Sequence, residues 1–267
     1  MGRSIEAYGL RIGIRVSDPT VLERLETRFP FGWKRASHAK VDRLYSIDLR
    51  VNAPGARVRR YSLLHADSTQ LSRTMDHEEL LDALETDMRM HVAENAPRRI
   101  FVHAGVVGWR GRAIVVPGRS YSGKTTLVRE MIRRGATYYS DEYAVLDAMG
   151  RVHPFAQPLS IRDHEAKQIK HPVEALGGVE GTRALPVGLV VICRWNGKKW
   201  HPRKLSPGVG TLEIVAHTVS ARRHPARAIE TIRMVVMRAP VIQSSRSEAR
   251  EAAARILDYA DAVAGTS

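Results

Sequence analysis

The chain has 267 residues and a formal net charge of +14, because 42 lysine and arginine residues outnumber 28 acidic ones. Its single cysteine, Cys193, excludes an internal disulfide framework and a cysteine-rich metal site. No apolar run approaches the ~18 residues of a membrane-spanning helix, so we expect a cytoplasmic protein with no membrane partner.

Residues 1–97 are predicted to form an N-terminal α/β accessory domain, and residues 98–267 a catalytic domain. Residues 9–16 alternate apolar and polar side chains, which is typical of a half-buried strand. Further strands are expected over 45–51 and 58–64, and an amphipathic helix is expected over 78–94. Nothing in this domain indicates catalysis, so it is expected to recognise a substrate, to form a dimer contact or to brace the core.

The stretch from Gly118 to Thr125 matches the phosphate-binding pattern G-x-x-x-x-G-K-[ST]. Glycine lets backbone N–H groups approach a phosphate, Lys124 would reach the outer phosphates, and the Thr125 hydroxyl would bind Mg²⁺. A β-branched run, 112–117, precedes the loop, and a helical pattern that ends before Gly135 follows it. The expected ATP contacts are Gly118, Arg119, Ser120, Tyr121, Ser122, Gly123, Lys124, Thr125 and Thr126.

Asp141 and Glu142 are the leading acidic candidates. They precede the apolar run 143–146, which is expected to form a strand beside the P-loop strand. Because neighbouring residues of an extended segment face opposite ways, one carboxylate could hold a metal while the other faces the acceptor. His103, in the strand before the P-loop strand, would on its own be a core histidine. Asp147 is predicted to be a surface acid.

The rest of the chain continues an α/β pattern. Residues 185–194 are expected to form a buried strand, and helices are expected after Ser206, from Pro225 and over 248–263. The stretch 170–183, rich in Gly, Glu and Pro, is a candidate mobile loop near the site.

Several short motifs together resemble the catalytic core of the HPr kinase/phosphorylase family. They are the strand 103–107, the loop that ends at Thr125, Arg134-Gly135 and Ser140-Asp141-Glu142, with 21 residues from His103 to Lys124 and 17 from Lys124 to Asp141. The resemblance covers roughly residues 99–150. It implies an α/β fold with a P-loop kinase core of the HPr kinase/phosphoenolpyruvate carboxykinase type beside a smaller N-terminal α/β domain.

The resemblance also implies roles for the site residues. Lys124 would bind the transferred phosphates, Thr125 and Asp141 would hold Mg²⁺, and Glu142 would accept a proton from the acceptor hydroxyl. His103 would be an active-site residue. Family members assemble into oligomers, which implies a homo-oligomer here.

This chain departs from the family pattern at three places. Glu142 stands where the family has aspartate, Tyr121 stands where it usually has glycine, and 157–162 replaces a Glu-x-Arg-Gly-x-Gly signature. We therefore expect neither HPr as the substrate nor reversible phosphorolysis. The transition-state arginine is not placed by the motifs, and its candidates are Arg162, Arg203, Arg222 and Arg223.

Three functions follow from these patterns. The first is an ATP- and magnesium-dependent kinase that phosphorylates a hydroxyl, either a serine of a protein or peptide or a small metabolite. The second is a nucleotide-binding regulatory or scaffold protein, or an ATPase, with little or no kinase activity. The third is a nucleic-acid-dependent ATPase, which rests only on the net charge of +14. Because the basic residues are spread along the chain, nucleic acid is the least favoured partner.

Overall fold

The computed structural model describes residues 2–36, 40–51, 59–119, 122–162 and 168–265, with side chains except at 160–162 and 168–170. These residues form two compact units, which divide between Arg98 and Arg99. Both units combine strands and helices, so the chain is a mixed α/β protein. None of the described helices is long and apolar enough to cross a membrane.

The first unit contains a six-stranded sheet in the order β3-β1-β2-β4-β5-β6. Its described strands are β1 (Gly2–Ala7), β2 (Leu10–Val16), β3 (Lys34–Arg35), β4 (Arg43–Asp48), β5 (Ser62–Ala66) and β6 (Thr69–Thr74). Its helices are α1 (Val21–Leu25), which a 3-10 turn extends to Arg28, and α2 (His77–Asn95). The Asp76 carboxylate begins α2 by accepting hydrogen bonds from the Glu78 and Glu79 amides, as a helix N-cap does.

The second unit contains an eight-stranded sheet and a two-stranded one. Its described strands are β7 (Ile100–Trp109), β8 (Arg112–Pro117), β9 (Thr137–Ser140), β10 (Tyr143–Leu146), β11 (Arg151–His153), β12 (Leu159–Arg162), β13 (Gln168–His171), β14 (Leu185–Trp195), β15 (Arg203–Lys204) and β16 (Val241–Arg246). Its helices are α3 (Lys124–Ile132), α4 (Pro207–Val215), α5 (Pro225–Val236) and α6 (Ala249–Ala264).

Three parallel strands, β8, β14 and β16, lie next to one another in the larger sheet. The antiparallel strand β7 borders β8 on the other side. Because parallel strands end at the same edge of a sheet, the residues after β8 and the last residues of β16 meet there. This edge is where the glycine loop lies.

Helices cover both faces of the larger sheet. Val106 of β7 belongs to the apolar cluster that includes Ile232 of α5. Its neighbour Gly105 faces α3, and a Cβ at Gly105 would lie 2.6 Å from Val128 Cγ2. Adjacent residues of a strand point to opposite faces, so Gly105 permits the close approach of α3 to β7.

One expectation about strand order is wrong in this unit. The strand after Asp141 and Glu142 was expected beside the P-loop strand, but β9 and β10 both pair with β7, which separates them from β8. Part of the stretch 170–183, for which a mobile loop was predicted, is hydrogen-bonded to β9. The Tyr138 amide donates to the Val179 carbonyl, and the Gly181 amide donates to the Tyr138 carbonyl. Strand order depends on long-range packing, which local patterns do not encode.

Candidate functional site

The glycine loop connects β8 to α3. Gly118 N donates to the His103 carbonyl at 3.0 Å, which ties the start of the loop to β7. Gly123 ends the loop with φ of 81°, a left-handed conformation that glycine adopts without strain. Ser120 and Tyr121, two of the expected nucleotide contacts, lie outside the described residues.

Helix α3 begins at Lys124, directly after this turn, with Thr125 and Thr126 in its first turn. Gly123 has no side chain to cap the first amides, and the first turn contains no acidic residue. The first amides of a helix point out of its end and, together with the helix dipole, favour an anion there. The loop and α3 therefore form a surface suited to a phosphate group.

Lys124 is buried at the base of the loop. Only 9% of it is exposed, and its Nζ donates to the Arg119 carbonyl at 2.7 Å. Burial lowers the pKa of Lys124, whereas the carboxylates of Asp141 and Glu142 act to raise it. Lys124 thus lies within electrostatic reach of both acids that the sequence singled out.

A hydrogen bond joins Thr125 of α3 to Asp141 of the acidic turn. Thr125 Oγ1 donates to Asp141 Oδ2 at 2.9 Å. The Tyr138 hydroxyl lies 3.0 Å from Asp141 Oδ1 and 2.8 Å from the Gln157 carbonyl oxygen. Burial and the nearby Asp141 charge raise the pKa of Tyr138, so the phenol keeps the proton it donates. Asp141 is therefore oriented from two sides.

A serine turn presents the acidic pair. Ser140 Oγ accepts from the amides of Glu142 at 3.0 Å and Tyr143 at 2.9 Å, which fixes the turn between β9 and β10. The Ala104 amide donates to the Glu142 carbonyl at 3.0 Å and anchors the turn to β7. The structure thus brings Lys124, Thr125, Asp141 and Glu142 to one place, although they belong to two separate elements, α3 and the turn between β9 and β10.

His103 reaches the same edge from β7. Its ring lies against Tyr143 with centroids 4.7 Å apart. Its amide donates to the His217 carbonyl at 2.8 Å, so the segment after α4 also lies at this edge of the sheet. Burial lowers the pKa of His217, and so do the charges of Lys124 and Arg119. Sequence patterns gave no signal for His217, because its proximity depends on how α4 packs.

The oxygen atoms of Thr125 and Asp141 suit Mg²⁺. A hydroxyl and a carboxylate held 2.9 Å apart are hard ligands of the kind that Mg²⁺ binds, with phosphate and water oxygens completing its shell. Within the part of the chain that the structure describes, no three His, Cys, Asp or Glu side chains gather into a metal site. The pair therefore fits a Mg²⁺ ion whose remaining ligands are phosphate and water oxygens.

Among the candidate arginines, Arg203, Arg222 and Arg223 have exposed side chains. Arg203 is exposed on β15 and donates to Gln243 Oε1 at 2.6 Å. Arg222 and Arg223 are exposed beside the 3-10 turn Val219–Arg222, and the Arg162 side chain lies outside the described set. Arg246, which the sequence analysis missed, donates to the loop instead. The sequence did offer a signal: the run Val241–Arg246, before the last helix, could have been predicted as a strand. In the structure it is β16, the third parallel strand.

Asp147 has a structural role, contrary to the surface position expected for it. It is only 6% exposed and accepts from the Met149 and Arg151 amides and from the Arg151 and His153 side chains. Burial opposes its ionisation, but these donors lower its pKa overall. Asp147 closes the turn between β10 and β11.

Comparison with known proteins adds no assignment: no protein-family model matches the chain, and a search of curated proteins finds no matching relative.

Proposed function

We propose that this chain is an ATP- and magnesium-dependent kinase that transfers the γ-phosphate to a hydroxyl group. The observation that carries the proposal is the 2.9 Å hydrogen bond from Thr125 to Asp141, which joins the phosphate-binding helix to an acidic turn. A phosphate loop alone indicates only binding. An acidic pair within reach of its lysine and threonine adds the groups that phosphoryl transfer needs.

Each residue has a defined task in this proposal. Lys124 and the first amides of α3 bind the β- and γ-phosphates and stabilise charge that develops on them. Thr125 and Asp141 would hold Mg²⁺, which would supply positive charge to neutralise the phosphates. Glu142 accepts the proton of the acceptor hydroxyl as its oxygen bonds to the γ-phosphorus and the bond to ADP breaks. His103 borders the acceptor side, next to Tyr143.

The finer fold assignment belongs to the same proposal. We infer a P-loop kinase core of the HPr kinase type in the second unit, because the glycine loop, the His103 strand and the acidic turn meet at one sheet edge. The acceptor is a hydroxyl of a protein, a peptide or a metabolite. The region 157–162 lacks the family's Glu-x-Arg-Gly-x-Gly signature, which supports a substrate other than HPr.

A second candidate is a protein that binds MgATP as a regulatory signal without turnover. It is favoured by the sequence at 157–162, which lacks the glutamate of the family's Glu-x-Arg-Gly-x-Gly signature. This candidate predicts nucleotide affinity without label transfer to any acceptor.

The deciding experiment combines calorimetry with label transfer. Wild-type protein should bind MgATP and move a γ-phosphate label to a component of a cell lysate, and Lys124→Ala should lose both activities. The matched control is Lys34→Ala, at an exposed lysine of the first unit, which should behave as wild type. Binding without transfer would support the second candidate, and no binding by the wild type would refute both.

A further inference from the structure

A buried arginine lies directly behind the glycine loop. Arg246 is the last residue of β16 and is only 5% exposed. It pairs in register with Trp195 at the end of β14, on the parallel strands whose ends meet at the loop. The fold therefore places the guanidinium of Arg246 at the end of the glycine loop, although Arg246 and Gly123 are 123 positions apart in the chain.

The guanidinium contacts two successive loop carbonyls. Arg246 NH2 donates to Ser122 O at 3.1 Å and to Gly123 O at 3.3 Å. A Cβ at Gly123 would lie 2.3 Å from the same nitrogen, so this contact requires glycine in addition to the demand of its positive φ. The glycine of the motif thus serves two purposes, one conformational and one steric.

These contacts determine where two amide groups point. In a planar trans peptide, the C=O of one residue and the N–H of the next point in opposite directions. Arg246 holds the Ser122 carbonyl and shares the Gly123 carbonyl with the Leu127 amide, which donates to it at 3.1 Å. It thereby helps to turn the N–H groups of Gly123 and Lys124 away from β16. These two amides are the ones that open onto the end of α3, where an anion binds.

The charge of Arg246 also requires compensation. Among the residues that the structure describes, no carboxylate forms an ion pair with its guanidinium, which meets carbonyl oxygens instead. A buried charge without a counterion is costly. A phosphate in the loop would supply negative charge on the opposite side of the same two peptide groups.

We propose that Arg246 is a positioning residue for the phosphate site. It orients the Gly123 and Lys124 amides toward the nucleotide phosphates and stabilises the negative charge of those phosphates. This inference rests on the proposed function, since it presumes that the loop binds a phosphate chain. It adds a residue that no loop motif contains. Arg246 acts through the backbone of the loop and does not itself contact the transferred phosphate.

The experiment measures MgADP and magnesium pyrophosphate affinity by calorimetry for wild type, Arg246→Lys and Arg246→Met. Arg246→Met should weaken both ligands about 10-fold to 100-fold, because it removes charge-assisted hydrogen bonds. Arg246→Lys should weaken them less, since it keeps the charge but cannot span two carbonyls. The matched control is Arg250→Met, at an exposed arginine of α6, which should bind both ligands as wild type does.

The outcomes separate this inference from the proposed function. If Lys124→Ala loses MgADP affinity while both Arg246 variants bind as wild type, the role of Arg246 is refuted and the proposed function stands. If the wild type binds neither ligand, both are refuted. Should Arg246→Met fail to fold, Arg246→Lys decides: about 3-fold to 10-fold weaker binding, at an unchanged melting temperature, supports positioning. Wild-type affinity of Arg246→Lys would overturn it.

Discussion

Thr125 Oγ1 donates to Asp141 Oδ2 at 2.9 Å, so the first turn of α3 and the turn after β9 are joined by one hydrogen bond. The two residues are 16 positions apart. Both β9 and β10 pair with β7, so the acidic turn between them lies next to β7 and not next to β8. This relationship places an acidic pair beside the glycine loop, as the proposed kinase requires.

Replacing Asp141 should change how the protein uses magnesium. Asp141→Asn keeps an acceptor for Thr125 but removes the charge, so the magnesium concentration needed for nucleotide binding should rise about 10-fold to 100-fold. Titration of Mg²⁺ at fixed ATP, followed by calorimetry, measures this. Asp258→Asn, at an exposed position of α6, serves as the control. An unchanged magnesium requirement in Asp141→Asn would exclude Asp141 from the metal site.

Glu142→Gln should separate binding from transfer. The amide cannot accept the hydroxyl proton, so the rate of phosphate transfer should fall about 10²-fold to 10⁴-fold while MgATP affinity stays within about twofold. Label-transfer rates and calorimetry on the same samples test both parts. Glu251→Gln, on the exposed face of α6, should keep the wild-type rate. A variant with full transfer would show that another group takes the proton.

His217 should couple nucleotide binding to proton uptake. Burial and the charges of Lys124 and Arg119 hold its pKa below the ordinary 6.5. In the apo protein, the unfolded state therefore binds more protons below pH 6.5, and His217 makes stability fall as the pH drops through that window. Bound phosphates offset the cations and raise the pKa of His217, so MgADP binding should take up protons at a pH just below 6.5.

Calorimetry at that pH in two buffers of different ionisation enthalpy measures the proton uptake. His217→Gln should abolish most of it. His91, in the first unit, also has a pKa lowered chiefly by burial, so the difference between wild type and His217→Gln is the informative quantity. Equal uptake in the two proteins would contradict the expected coupling.

Cys193 offers an independent test of where Arg246 lies. Burial raises the pKa of this single thiol to about 11, and the positive charge of Arg246 acts in the opposite direction. Alkylation of the native protein near neutral pH should therefore be roughly 100-fold slower than that of the unfolded chain. Arg246→Met should slow it further, whereas Arg250→Met should not. Faster labelling of folded Arg246→Met would place the guanidinium elsewhere.

Gly105 should tolerate no side chain. A Cβ there would lie 2.6 Å from Val128 Cγ2, so Gly105→Ala should lower the free energy of unfolding by about 1–3 kcal/mol as α3 is pushed from β7. Gly208, in α4, has open space around its Cβ position. Gly208→Ala should thus be neutral or stabilising by up to about 1 kcal/mol. Urea unfolding curves measure both, and equal effects would argue against tight packing at Gly105.

The sequence alone determined the local features of this protein. The strand, glycine loop and helix around Lys124 could be predicted because they are contiguous and depend on short-range chemistry: a β-branched run, a glycine at positive φ and a helical pattern. The helices near 78–94, 225–236 and 248–263 were predicted for the same reason, and the structure confirms them within one or two residues. Ser206 was also predicted correctly as an N-cap.

Only the tertiary structure decided which distant residues meet at the loop. The pairing of β9 and β10 with β7, the attachment of 172–183 to β9, and the burial of Asp147 depend on strand order and packing. Arg246 reaches Gly123 across 123 residues because β16 lies parallel to β14. Local periodicity specifies whether a segment forms a strand, whereas the choice of neighbouring strand is made by the burial of apolar surface across the whole unit.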